Sequence, residues 1–258
     1  LAMFVTLLIG VILASRNTES RRFAPTGKVC GHAHQFFEVL DDVAPGAKPT
    51  LRTPLAVRAN FGGCSIIGIY GGGDMLGDEG AAAIAQAMEA EDVVQKLMLS
   101  EAHIGPRGAA ALARAVAGSA TLEELWLGGN EMGDRGAKAF AKALRANRHL
   151  RELLLYSNGI SDIGAASLAA ALSGNDSLHR LWLGVNDITD TGAAAFVDVL
   201  GGEEPRNTML RELTLTHNKL SRGGGATLEA CGEARDGWYS GMWRYPSGTE
   251  FPGRRGRT

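Results

Sequence analysis

The chain has 258 residues, 45% of them hydrophobic and 21% charged, so it carries enough apolar material for a buried core and too little charge for a polyelectrolyte. A formal charge of -2, with no Lys/Arg cluster interleaved with aromatics, gives no basis for a nucleic-acid partner. Three widely spaced cysteines, Cys30, Cys64 and Cys231, imply no disulfide framework and point to a reducing, cytoplasmic setting.

Residues 1–14, LAMFVTLLIGVILA, form an uncharged apolar run. It is shorter than the ~20 residues that cross a bilayer as a helix, so three readings stay open: a truncated membrane span, a signal peptide without a positive n-region, or a buried helix. This run is the chain's one route to a membrane. From 15 to 60 proline, glycine and charge increase without a period, which predicts an irregular flank of low order. Cys30, His32 and His34 alternate there and would share one face if extended, as half of a metal site would. No second ligand pair accompanies them, and neither Ala24 to Lys28 nor Gly71 to Gly73 has the spacing of a phosphate loop. No metal or other cofactor is expected.

A period then sets in. The paired leucines Leu97 and Leu99 recur as Leu125 and Leu127, Leu153 and Leu155, and Leu181 and Leu183, about 28 residues apart. Leu213 and Leu215 arrive about four residues late, the delay lying in GGEEPRNTML between Leu200 and Leu210. An earlier copy places Ile67 and Ile69 at the paired positions. That makes about six units over residues 64–230.

Within each unit L-x-L predicts a short strand with its leucines facing inward. Asn130, Asn158, Asn186 and Asn218 follow five places after the first leucine, where an amide satisfies turn backbone groups that would otherwise be buried unpaired. Next come a core plug (Ile104, Met132, Ile160, Ile188), then Asp134, Asp162 and Asp190 as expected caps for the helices they open. Gly108, Gly136, Gly164 and Gly192 allow close approach at the helix entrance. Alanine-rich helices follow with apolar pairs at i, i+4, such as Phe140/Leu144 and Leu168/Leu172. A strand with a returning helix must lay the next strand parallel, so the units stack into a right-handed α/β solenoid with the sheet concave and the helices convex. In the last unit Arg222 replaces the Asp and Gly232 stands at the place of Leu200, which predicts a short helix. Residues 231–258 lose the period and offer Trp238, Tyr239, Trp243, Tyr245 and Phe251, either as a cap on the open end or as a disordered tail.

The pattern L-x-x-L-x-L-x-x-N followed by I-x-D-x-G-A-x-x-[LF]-A-x-A-L resembles the leucine-rich repeat of the ribonuclease-inhibitor type. The resemblance implies a horseshoe arc. It is shared by ribonuclease inhibitor, Ran GTPase-activating proteins and the repeat regions of nucleotide-binding leucine-rich-repeat receptors. It therefore implies three functions alike: a protein-binding scaffold, stimulation of a bound GTPase, or the sensor fragment of a larger receptor.

With the leucines inward, alternate residues form columns on the concave face. One runs through Lys96, Glu124, Glu152, Arg180 and Glu212, the next through Met98, Trp126, Leu154, Trp182 and Thr214. The third holds Ser100, Gly128, Tyr156, Gly184 and Thr216. Four large apolar groups side by side on an uncovered sheet predict a protein-binding centre rimmed by mixed charge. The expected contact residues are Met98, Glu124, Trp126, Glu152, Leu154, Tyr156, Arg180, Trp182 and Thr214. Tyr156 is expected to rise from a shallow hollow left by Gly128 and Gly184. His103, His149, His179 and His217 fall at different places in their units, and no nucleophile, paired carboxylate or metal set recurs on one face, so no enzymatic activity is expected.

Overall fold

The computed structural model describes residues 65–68, 76–201 and 206–233, together with the strand backbones of 29–30, 37–39 and 57–59. Strands β1 (Val29–Cys30), β2 (Phe37–Val39), β3 (Val57–Ala59) and β4 (Ile66–Gly68) come first. Strand and helix then alternate: α1 (Gly77–Ala90), β5 (Lys96–Met98), α2 (Pro106–Gly118), β6 (Glu124–Trp126), α3 (Gly133–Ala146) and β7 (Glu152–Leu154). They continue through α4 (Asp162–Leu172), β8 (Arg180–Trp182), α5 (Asp190–Leu200), β9 (Glu212–Thr214) and α6 (Arg222–Glu233). Strands β4 to β9 pair side by side in chain order, all parallel, with Leu97, Leu125, Leu153, Leu181 and Leu213 in one register.

β1 adds a seventh parallel strand on the other side of β4, and β2 and β3 form an antiparallel pair. β3 lies against α1. These three strands fall within 15–60, where the sequence pattern predicts an irregular flank. None has the L-x-L spacing, and β1 is only two residues long, so no period marks them.

Each helix packs on its sequence neighbours. Strands sit about 4.8 Å apart and packed helices about 8–10 Å, so a stack of such units must curve with the sheet inside. Leu97, Leu125, Leu127, Leu153, Leu155, Leu181 and Leu183 are fully buried between the layers. The plugs Ile104, Met132, Ile160 and Ile188, and the helix residues Phe140, Leu144, Leu168, Leu172 and Phe196, seal the same core.

Buried amides tie the units together at the strand ends. Asn186 accepts from the Asn158 and Ile160 amides at 2.9 and 3.0 Å and donates to the Leu155 and Leu183 carbonyls at 3.0 Å each. Asn130 does the same for Ala102, Ile104, Leu99 and Leu127. Asn158 donates to Leu127 and Tyr156, but its buried Oδ1 accepts no hydrogen bond. In the unit before it Gly133 has a φ of +54, and its amide donates to the Asn158 backbone carbonyl at 3.0 Å.

A second ladder, at the ends of the helices, went unseen in the sequence. Asn147, Asn175 and Asn207 each accept from two amides just downstream and donate to two carbonyls of the preceding unit. One unit earlier Ser119 holds the place, accepting from the Leu122 amide at 3.1 Å and donating to Asp92 at 2.6 Å. Asp92 lies below the ordinary carboxylate pKa: burial opposes the shift, and hydrogen bonds from Ser119, Ala120 and Thr121 outweigh it.

The aspartates do not cap the helices they open. Asp134 reaches into the next unit, accepting from the Ser161 amide at 2.8 Å, its hydroxyl at 2.6 Å and the Gly164 amide at 3.0 Å. Asp162 makes the same three contacts with Thr189 and Gly192. The local caps are Ser161 and Thr189, whose hydroxyls accept from Ile163 and Thr191. The glycines follow from this reach: a Cβ at Gly164 or Gly192 would come within 2.6 or 2.5 Å of the aspartate oxygen of the unit before. The last helix also departs from expectation. α6 has 12 residues, against 11 in α4 and α5. Leu228 still anchors it in the core, and Asp190 holds Ser221 at its start.

Two outcomes test these ties. Asn186→Ala should lower stability by about 2 to 4 kcal/mol in urea denaturation, because it strands backbone groups of two units. Asn158→Ala should lose about 1 kcal/mol less, since its oxygen holds nothing. The Asp162 carboxyl is held below its usual value, with burial opposing and the Thr189 and Gly192 hydrogen bonds prevailing. A depressed folded-state pKa gives stability that is present above the unfolded carboxylate value of about 3.9 and disappears as pH falls through the folded one. Asp162→Asn should therefore flatten the acid limb of a stability-versus-pH curve; an unchanged limb would refute the assignment.

Candidate functional site

The alternation along the three-residue strands sends the expected columns to the inner sheet face, in register from Lys96 to Glu212 and from Met98 to Thr214. The charged column is ion-paired within itself, two cations against three carboxylates. Lys96 Nζ lies 2.7 Å from Glu124 Oε2, and Arg180 bridges Glu152 and Glu212, with Nε 3.2 Å from Glu212 Oε2. Glu124 and Glu152 are direct neighbours across β6 and β7, and each carboxylate pairs with the cation on its far side.

The aromatic column is fixed by the same groups. Lys96 Nζ stands 4.2 Å from the centre of the Trp126 ring, a cation–π contact, and the Trp182 indole N–H donates to Glu212. Both tryptophans are half-buried. Leu154, in register between them, is 1% exposed. Its strand lies ~4.8 Å from those of both larger tryptophans, and between them the leucine is closed off from solvent. Leu154 is thus support and not surface. Glu152, 9% exposed, lies equally deep.

Tyr156 does not rise from a hollow. It is 7% exposed and lies across Gly128, where an added Cβ would come within 2.0 to 2.5 Å of its ring carbons. Its hydroxyl is within hydrogen-bonding reach of Ser100, two units away. Burial raises the phenol's pKa; Ser100 opposes that and the Glu101 charge adds to it, so the group stays neutral. Gly184 has a different neighbour, the Thr216 hydroxyl, which a Cβ would meet at 3.0 Å. Beyond this column the turn after each of β5 to β9 holds a left-handed residue: Glu101, Gly129, Ser157, Val185 and His217. The accessible inner face therefore reduces to Lys96, Met98, Glu124, Trp126, Arg180, Trp182, Glu212, Thr214 and Thr216, all partly exposed.

Four segments, 118–141, 146–169, 174–197 and 206–228, match the family model described as Leucine Rich repeat. The fold is the leucine-rich-repeat solenoid. A solved structure of leiomodin-1 actin-binding site 2 is similar at a TM-score of 0.48 and 18% identity, over 59% of this chain and 86% of that one. No curated protein matches the chain in sequence.

The histidines of the solenoid stay apart. His103 and His217 sit in turns after strands, whereas His149 and His179 precede them. His103 contacts Glu131 at 3.2 Å, and His179 Nδ1 meets the Ser177 carbonyl at 2.6 Å. Among the described residues no three potential metal ligands come together, and no helix is long and apolar enough to cross a membrane. The apolar run 1–14, His32, His34 and the tail aromatics beyond Glu233 lie outside the described residues.

The tyrosine's position gives a direct test. Gly128→Ala should destabilise the solenoid by about 1 to 3 kcal/mol, because the ring must move off the sheet. On a Tyr156→Ala background the same substitution should cost little; additive losses in thermal unfolding would show that ring and glycine are not in contact.

Proposed function

We propose that the repeats are a protein-interaction scaffold whose partner seats on the inner sheet face. The observation that carries this reading is the pair of partly exposed tryptophans, Trp126 and Trp182, flanking Leu154. Lys96 and Glu212 hold their rings in place. Pre-positioned aromatic groups lose little rotamer freedom on binding, and such groups dominate the centres of protein interfaces. Met98, Glu124, Arg180 and Thr214 complete the contact surface around them, while Glu152, Leu154 and Tyr156 act from beneath by holding its shape. A partner side chain or loop, not a small molecule, suits a face this open. The reading assigns the chain no chemistry of its own. The motif also supports the ribonuclease-inhibitor type for these repeats, since each complete unit carries a strand, an asparagine turn and a full α-helix within about 28 residues.

The test compares wild type, Trp126→Ala/Trp182→Ala and Thr214→Arg in pull-down, followed by affinity measurement with the protein recovered. Each tryptophan truncation should weaken binding by about 2 kcal/mol or more. The double variant uncovers Leu154, so its thermal stability is followed alongside. Thr214→Arg adds bulk and charge on the same face without opening the core. Retention of the same partners by both folded variants would move the binding surface elsewhere.

A further inference from the structure

The helices repeat their outward positions at the unit interval, so exposed side chains line up in rows across the outer layer. On α3 those positions hold Arg135, Lys138, Lys142 and Arg145, all exposed. The spacing i, i+3, i+7, i+10 puts them on one stripe, about 15 Å long at ~1.5 Å per residue. No ion pair among the described residues uses any of the four. The contrast with α2 is direct: Arg107 lies 3.4 Å from Asp78 and 3.5 Å from Glu79, and Arg114 lies 3.0 Å from Glu89, all acids of α1.

On the other side of α3 the equivalent positions are Ile163, Ala166 and Ala170 of α4 and Ser173 just past its end, all exposed and uncharged. Ile163 is 58% exposed, the most accessible large hydrophobic residue among those described. A cationic ridge thus runs beside a low apolar shelf. On the near side of α3, α2 carries Arg107 and Arg114, already paired with Asp78, Glu79 and Glu89 of α1, and on the far side of α4, α5 carries the exposed acid Asp198.

We propose that the α3–α4 surface docks an acidic amphipathic helix from a partner protein, with carboxylates on the α3 cations and apolar side chains on Ile163, Ala166 and Ala170. Charge complementarity selects the acidic edge, and the alanines let a helix axis approach closely. The width selects a helix over a broader polyanion: helices pack ~8–10 Å apart, which matches one basic ridge plus one shelf. A lipid surface or a nucleic-acid duplex would reach past the strip onto α2, whose arginines are already paired, and onto Asp198 of α5, and would gain no unpaired cation there. This surface shares no residue with the inner face.

The probe is a capped, fluorescently labelled peptide of α3's own length, 14 residues, with glutamates on one helical face and leucines on the other. Anisotropy titration against the whole chain should show saturable binding that weakens with salt. Lys138→Glu/Lys142→Glu should weaken it about tenfold or more, with circular dichroism unchanged. Ala170→Glu should act in the same direction, and Trp126→Ala should leave the affinity as it is, which separates this site from the inner face. A scrambled peptide of equal composition, without amphipathic order, should bind about tenfold more weakly or not at all. Equal binding of the scrambled peptide would overturn the proposal, as would tighter binding to phosphatidylserine vesicles with the same dependence on Lys138 and Lys142. Absence of peptide binding up to about millimolar concentration, the range of weak electrostatic contact, would overturn it as well.

Discussion

The constraint on which this structure depends is that backbone groups at both ends of a three-residue strand are buried and must find partners. A strand of that length satisfies few of them itself, and an unpaired buried amide costs about 1–3 kcal/mol. Asparagine meets the need because one side chain donates twice and accepts twice. Asn130 and Asn186 spend that capacity across a unit boundary, holding the turn of the unit before along with their own. Asn147, Asn175 and Asn207 do so at the opposite end. A unit is therefore not closed until its successor is in place, and stability spreads through neighbour contacts.

The same cross-unit logic governs the helix entrances. Asp134 and Asp162 hold the cap of the following helix, and the following unit answers with a glycine so that the carboxylate can come in. Three kinds of tie thus run between adjacent units: an amide after the strand, an amide after the helix and a carboxylate at the helix start. Together with the leucines they fix register, and register is what sets Trp126, Leu154 and Trp182 in line.

The architecture was legible in the sequence because its signals are local and periodic. The leucine pairs, the first asparagine ladder and the plugs needed only a spacing, and the structure places them as that spacing predicts. What escaped was whatever depends on a partner in another unit. Asn147 and Asn175 stand 28 residues apart in plain view, but the matching place is Ser119 one unit before and Asn207, delayed by the insertion, one unit after. A spacing also shows which side a residue projects to, not how deep it sits. Leu154 and Tyr156 were placed on the concave face, yet the first is buried between the two tryptophan-bearing strands, and the second lies over the gap left by Gly128. The aspartates were recognised as cap-forming residues but assigned to the wrong helix, because sequence proximity favours the near one and the chain's rise toward the next unit is invisible in one dimension.

The two faces of the solenoid now differ in a way that bears on how each could meet a partner. On the inner face every charge of the Lys96–Glu212 column is paired with another of that column, and only one carboxylate is left in excess, so its field at a distance is small. Attraction there must come at contact, from ring burial and fit, and would respond weakly to salt. On the outer face α3 keeps four unneutralised cations together, and such a cluster acts before contact, raising encounter rates with an acidic partner while its salt dependence grows. One period builds both surfaces, since a single interval in sequence sets strand columns on one side and helix rows on the other. On the two proposals, one surface would hold its partner by shape and the other would draw its partner by charge, with the core of leucines and asparagines between them keeping the two surfaces in fixed relation.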